Sequence, residues 1–144
     1  MYGIRICLLA DLLVSTTLTE AAEDYILPTG VTVLTEDQLL NQIIGNTLVG
    51  GYENWVEYYE PPTGDQKKGR FKGKSGAYGH YGGSWEVKEE LMCWQHDKPS
   101  MAQYDKCFTI ALDGDIATWY KTTGFPWYNR HHQIKLISGK PKNF

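Results

Sequence analysis

The stretch from Cys107 to Tyr120 constrains the fold of this chain more than any other. Phe108, Ile110 and Leu112 alternate with other residues, Asp113-Gly114 follows, and Ala117 and Trp119 lie beyond it. Side chains two apart on a strand share a face, so Phe108, Ile110 and Leu112 read as one core-facing row. Asp-Gly tolerates the positive φ that a two-residue type I′ turn requires. Closing the hairpin at that dipeptide pairs Leu112 with Asp115, Ile110 with Ala117 and Phe108 with Trp119.

The rest of the chain points the same way. Trp55-Val56-Glu57-Tyr58-Tyr59 reads as a strand broken by Pro61-Pro62-Thr63-Gly64, a strong turn signal. Trp85-Glu86-Val87 resumes alternation, Lys88-Glu89-Glu90 makes a polar turn, and Leu91–His96 and His132–Ile137 complete the strands. Val31-Thr32-Val33 suggests an edge strand. One short helix is expected: Thr35 and Gln38 have the spacing of a capping box, Leu39, Leu40, Ile43 and Ile44 follow at helical spacing, and Gly45 ends the run. Five Trp, ten Tyr and fifteen Gly in 144 residues suit strands and the turns between them. The expectation is a mostly β domain, a single small antiparallel sheet or barrel of meander type, with one short N-terminal helix.

Residues 1–22 read as a secretory signal peptide. Arg5 precedes the apolar run Ile6–Val14, and small residues reach Ala21-Ala22, although Asp11 and Glu20 interrupt the pattern. The apolar run is too short for a membrane-spanning helix, which needs about 20 residues. The alternative is an amphipathic helix that stays on the protein. Cleavage near Ala22 leaves residues 23–144 as one β-rich domain with Cys93 and Cys107, an even pair that suits a disulfide in an exported chain. If the strands carrying them are antiparallel neighbours, the two face one another. A periplasmic or extracellular location follows. The formal net charge of −3 offers no broad basic footprint and argues against nucleic-acid binding.

The chemistry-bearing motifs are thin. Gly69–Ser75 imitates a phosphate loop but has three residues where four are needed, and Lys68 where the first Gly belongs. His80, His96-Asp97 and His131-His132 lack metal-ligand spacing, and adjacent strand residues point to opposite faces. Neither a metal nor a cofactor is called for. The five basic residues of Lys67–Lys74 read as a solvated turn, or as an attraction for an acidic polymer or anionic surface. Tyr52, Trp55, Tyr78, Tyr81 and Trp85, interleaved with glycines, form the main ligand-binding candidate. Such rings can stack on sugars, apolar ligands or a partner; otherwise they fill the core.

The order Gly45–Gly50, Trp55–Glu60, Gly83-Ser84-Trp85, Leu91-Met92-Cys93, Cys107–Ile110 and Thr118-Trp119-Tyr120 resembles small exported proteobacterial β-domains without an assigned function. In these a G-x-W strand leads to a Cys strand, then a second Cys strand leads to a final tryptophan strand. The resemblance covers about residues 35–123, and the lysine-rich insertion at 66–74 departs from the short turn expected there. It implies export and a disulfide, and brings no catalytic residues. Three functions are carried forward. The first is a non-enzymatic module, a lipocalin-like or inhibitor-like barrel, binding an unknown small ligand, glycan or envelope protein. The second is a small enzyme using His80, His96, Asp97, His131 and His132. The third is an envelope interaction or structural protein that uses a sheet edge.

Overall fold

The computed structural model describes residues 27–50, 54–121, 130–142 and 144. Its eight strands are β1 (Thr47–Gly50), β2 (Trp55–Tyr59), β3 (Lys68–Ser75), β4 (Gly79–Lys88), β5 (Leu91–His96), β6 (Cys107–Asp113), β7 (Ile116–Lys121) and β8 (Arg130–Ile137). Each pairs antiparallel with the next, and β1 pairs with β8, so the sheet closes into a barrel. The mostly β, antiparallel expectation is met. Closure leaves the sheet without the free edge that the third functional reading needed. It also leaves no place for Val31-Thr32-Val33 as an edge strand; residues 31–35 run in without regular structure. The proposed signal segment, residues 1–22, lies outside the described residues.

The interior is organised by pairs of glycine and aromatic residues. In register, Gly50 faces Trp55, Gly69 faces Trp85, Gly83 faces Phe71 and Gly73 faces Tyr81. In each pair the ring lies over the glycine: a Cβ added to Gly73 would sit 2.2 Å from Tyr81 Cε2, and one added to Gly69 would sit 2.8 Å from Trp85 Cζ2. These glycines are therefore inward-facing strand positions whose side-chain volume is supplied from the next strand. This corrects the reading of the Lys67–Lys74 run as a solvated turn. Lys68–Ser75 is a strand whose Lys68, Arg70, Lys72 and Lys74 point outward, while Gly69, Phe71 and Gly73 point inward.

The hairpin of β6 and β7 has the expected core face, but its register is displaced by two residues. Leu112 pairs with Ala117, Ile110 with Trp119 and Phe108 with Lys121. The turn residues are Gly114 and Asp115 rather than Asp113 and Gly114. Gly114 has φ +60° while Asp115 is not in the positive-φ region, the arrangement of a type II′ turn, which takes Gly first. A shift of two preserves which residues face inward, so Phe108, Ile110 and Leu112 stay together.

The helix begins as read. Thr35 Oγ1 accepts from Gln38 N and Gln38 Oε1 accepts from Thr35 N, the capping box. The α-turn Glu36–Gln38, α1, continues as a π-helical turn, Leu39–Ile43, and Gly45 ends the segment at φ +82°. Leu39 and Ile43 are fully buried and join Leu48, Val87 and Ile110 in the core. Glu36 pairs with Lys67 and accepts from Glu89 N, so the segment plugs the barrel end where β1 begins.

Cys93 and Cys107 are directly opposed and joined by a disulfide, as expected, with Cα atoms 4.0 Å apart. They staple the shortest seam of the barrel, since β5 and β6 share only two register pairs.

Candidate functional site

Period-two alternation puts Trp55, Glu57 and Tyr59 on the inner face of β2. A carboxylate therefore enters a row otherwise occupied by aromatics, and Glu57 is 7% exposed. The Tyr59 hydroxyl donates to Glu57 Oε2, and the Tyr81 hydroxyl donates to Oε1 at 2.9 Å. Trp94 Nε1 in turn donates to the Tyr59 oxygen at 2.8 Å. Burial pushes the Glu57 carboxyl above its ordinary range, opposed by the two hydroxyl hydrogen bonds and by charge on His96. Burial, then the neighbouring carboxylate, raises Tyr59 well above the usual tyrosine range, so it stays a donor.

At the end of β5, His96 is pinned from the following loop. Its backbone N–H donates to Asp105 Oδ1 at 2.7 Å, and its Nδ1 lies 2.8 Å from the same oxygen. A carboxylate only accepts, so Nδ1 carries a proton and Nε2 is left for another partner. The His96 ring packs against Phe71 and Tyr81 at centroid distances of 5.3 and 5.9 Å. This end of the barrel is opposite the helical plug: β1 ends there, β2 begins there, and β4 starts and β5 finishes there. Three tryptophans continue the lining, with the Trp119 ring packed at a 33° tilt against Trp55 at 5.3 Å and against Trp94 at 4.7 Å.

The expected ligand-binding residues are divided by this arrangement. Tyr81 is half-buried and part of the Glu57 cluster, and Trp55 is half-buried over Gly50. Trp85, expected on a stacking surface, is instead core at 1% exposure, its Nε1 donating to Glu60 O. Tyr78 sits in the β3–β4 turn, its hydroxyl 3.1 Å from that of Tyr104, outside the barrel. Tyr52 lies outside the described residues, as do the side chains of His131 and His132. Of the suspected enzyme residues whose side chains are described, only His96 enters the cluster. His80 is exposed, and Asp97 forms a two-point pair with Arg70 on the outer face, which holds its carboxyl below the usual range.

Sequence reasoning missed Glu57, Tyr59 and Asp105. The signal for Glu57 was present, because an acid between Trp55 and Tyr59 at period two must share their face. Asp105 sits between a 3₁₀ turn, Pro99–Tyr104, and β6, where no periodicity marks it. Among the described residues no three His, Cys, Asp or Glu side chains converge as a metal site would require. Comparison with protein-family models, curated protein sequences and solved structures finds no match to this chain.

Proposed function

We propose that this protein is a non-enzymatic binding module that takes a small ligand at the barrel end opposite the helical plug, by way of Glu57. The observation that carries this reading is a carboxylate inside the barrel, held by two tyrosine hydroxyls and lined by Trp55, Trp94 and Trp119. Barrels of eight strands use such mouths for single small ligands. A buried acid is costly to keep unless it serves a partner or a specific architecture. The Cys93–Cys107 bond supports an oxidising compartment, periplasmic or extracellular, as the place of action.

A thermal-shift and tryptophan-fluorescence screen of small compounds tests this, run on the wild type and on Glu57→Gln. The expected result is a ligand whose affinity falls at least about tenfold in the variant, the loss of one charge-assisted contact. Ligands that bind both proteins equally would place the site elsewhere.

A second reading rests on one contact. Asp105 orients His96 as a carboxylate orients a general base, which favours a small enzyme. An activity lost in both His96→Gln and Asp105→Asn, but retained in His80→Ala, would support it over the binding module.

A further inference from the structure

One wall of the barrel combines exposed apolar residues with lysines on its outer side. Residues opposed in register lie side by side on the same face of a sheet, so the pairings trace two outer rows across β8, β1, β2 and β3. The first row is Lys135, Val49, Val56 and Lys74; the second is Ile137, Thr47, Tyr58 and Lys72. The residues between the rows, Leu136, Leu48 and Glu57, point inward. Ile137 is 44% exposed, and Val49, Val56 and Tyr58 are half-buried. Gly139 lies over Thr47, accepting from its hydroxyl, and the next residue, Lys140, places Nζ 5.9 Å from the centre of the Tyr58 ring. The result is an apolar strip with lysine on both sides.

The charge of this wall is one-sided. Lys72 pairs with Glu60 at 2.6 Å and Lys135 with Asp115 at 3.7 Å, while among the described residues no acid pairs with Lys74 or Lys140. A basic wall therefore stands on a chain whose formal net charge is −3. The two ion pairs are exposed and hold their lysines weakly, so these cations remain free to turn to another anion.

The residue types favour one class of occupant. Interfaces between proteins are depleted in Lys and enriched in Arg and Trp, whereas the cations here are lysines. A lysine stem lies along apolar surface and carries its ammonium outward, and a tyrosine suits the headgroup boundary of a bilayer. A dissolved acidic polymer would use the charge and gain nothing from the apolar strip. An anionic lipid surface uses both.

Going beyond the ligand reading above, we infer that this wall docks on an anionic lipid surface, with Ile137, Val49, Val56 and Tyr58 at the headgroup boundary and Lys72, Lys74, Lys135 and Lys140 facing lipid phosphates. The full-length oxidised protein would be sedimented with vesicles of phosphatidylcholine alone and of phosphatidylcholine with about 30 mol % phosphatidylglycerol, at low salt. Binding to the anionic vesicles is expected to be at least about tenfold tighter, since each lysine near such a surface contributes roughly fivefold. The double substitution Lys74→Glu with Lys140→Glu should remove at least about tenfold of that affinity. Both lysines are exposed, so the variant leaves the core untouched. Ile137→Ser, which leaves the charge unchanged, should weaken binding by about threefold or more. Equal binding to the two vesicle types, binding to neither, or undiminished binding in either variant overturns the inference. Binding of soluble heparin without binding of anionic vesicles would assign the wall to an acidic polymer and overturn it as well.

Discussion

Gly73 offers the sharpest test of how this barrel is packed. A methyl group placed on it would lie 2.2 Å from Tyr81 Cε2 and 2.3 Å from Cζ, where ordinary carbon contacts are roughly 3.5–4.0 Å. The overlap is too large for small adjustments, so in Gly73→Ala the ring must swing away. Overpacking of this kind costs about 1–3 kcal/mol. Moving the ring also breaks the Tyr81 hydrogen bond to Glu57, a contact to a charged group worth about 1.5–3 kcal/mol. Replacing glycine returns about 0.5–1 kcal/mol by restricting the unfolded chain. The net expectation is a loss of about 3 kcal/mol, or roughly 10 °C in Tm. The decisive assay is a urea-denaturation cycle over wild type, Gly73→Ala, Tyr81→Ala and the double variant. With the ring removed, the alanine should cost less than about 0.5 kcal/mol or stabilise slightly. An undiminished cost in the Tyr81→Ala background would refute the claim that the glycine exists to receive the ring.

Two further outcomes are expected. Replacing Cys93 and Cys107 by serine, or reducing the bond, should cost about 3 kcal/mol in the chain-entropy account for a loop with a sequence separation of 14; a change below about 1 kcal/mol would show that the unfolded chain gains little freedom when the staple is opened. For pH, the folded-state value of Glu57 lies above its ordinary 4.5, so the folded protein binds this proton more tightly than the unfolded chain. The stabilisation this supplies is complete below about 4.5 and is lost as pH rises through the folded value. Denaturation curves should therefore show wild type losing ground to Glu57→Gln on going from acid to neutral pH, with His96 common to both; a pH-independent difference would contradict it.

How much of this was legible from residues alone depended on whether the pattern runs along a strand or across strands. The capping box at Thr35 and Gln38, the inward row of Phe108, Ile110 and Leu112, and the facing of Cys93 and Cys107 are local or parity relations, and each appears in the structure. The β3–β4 hairpin was hidden because Gly69, Gly73 and Gly83 look like turn residues in one dimension. Their inward volume belongs to Trp85, Tyr81 and Phe71, which becomes visible only once the register is known. The two-residue displacement at Gly114-Asp115 was equally invisible, since Asp-Gly and Gly-Asp turns satisfy the same alternation. Of the candidate site, Tyr81, Trp55 and His96 were named for their chemistry, whereas Asp105 reaches His96 from an irregular segment without any periodic mark.

The meander order of the barrel has a consequence for how it assembles. Seven of its eight seams join strands that follow one another in the chain, and each can form as a hairpin without waiting for the rest. The eighth brings Thr47 to Ile137, roughly 90 residues away, against the roughly eleven that separate Thr47 from Tyr58 in the first hairpin. Because closure entropy grows with the logarithm of length, that long step costs only about 2 kcal/mol more than the short one. It is met on arrival by the Thr47 hydroxyl donating to Gly139 O and by Gly139 N–H donating to Asn46 Oδ1, side-chain clasps across the last joint. Assembly of the molecule is thus sequential zipping with one final ring closure, and the latch for that closure lies beside the helical plug.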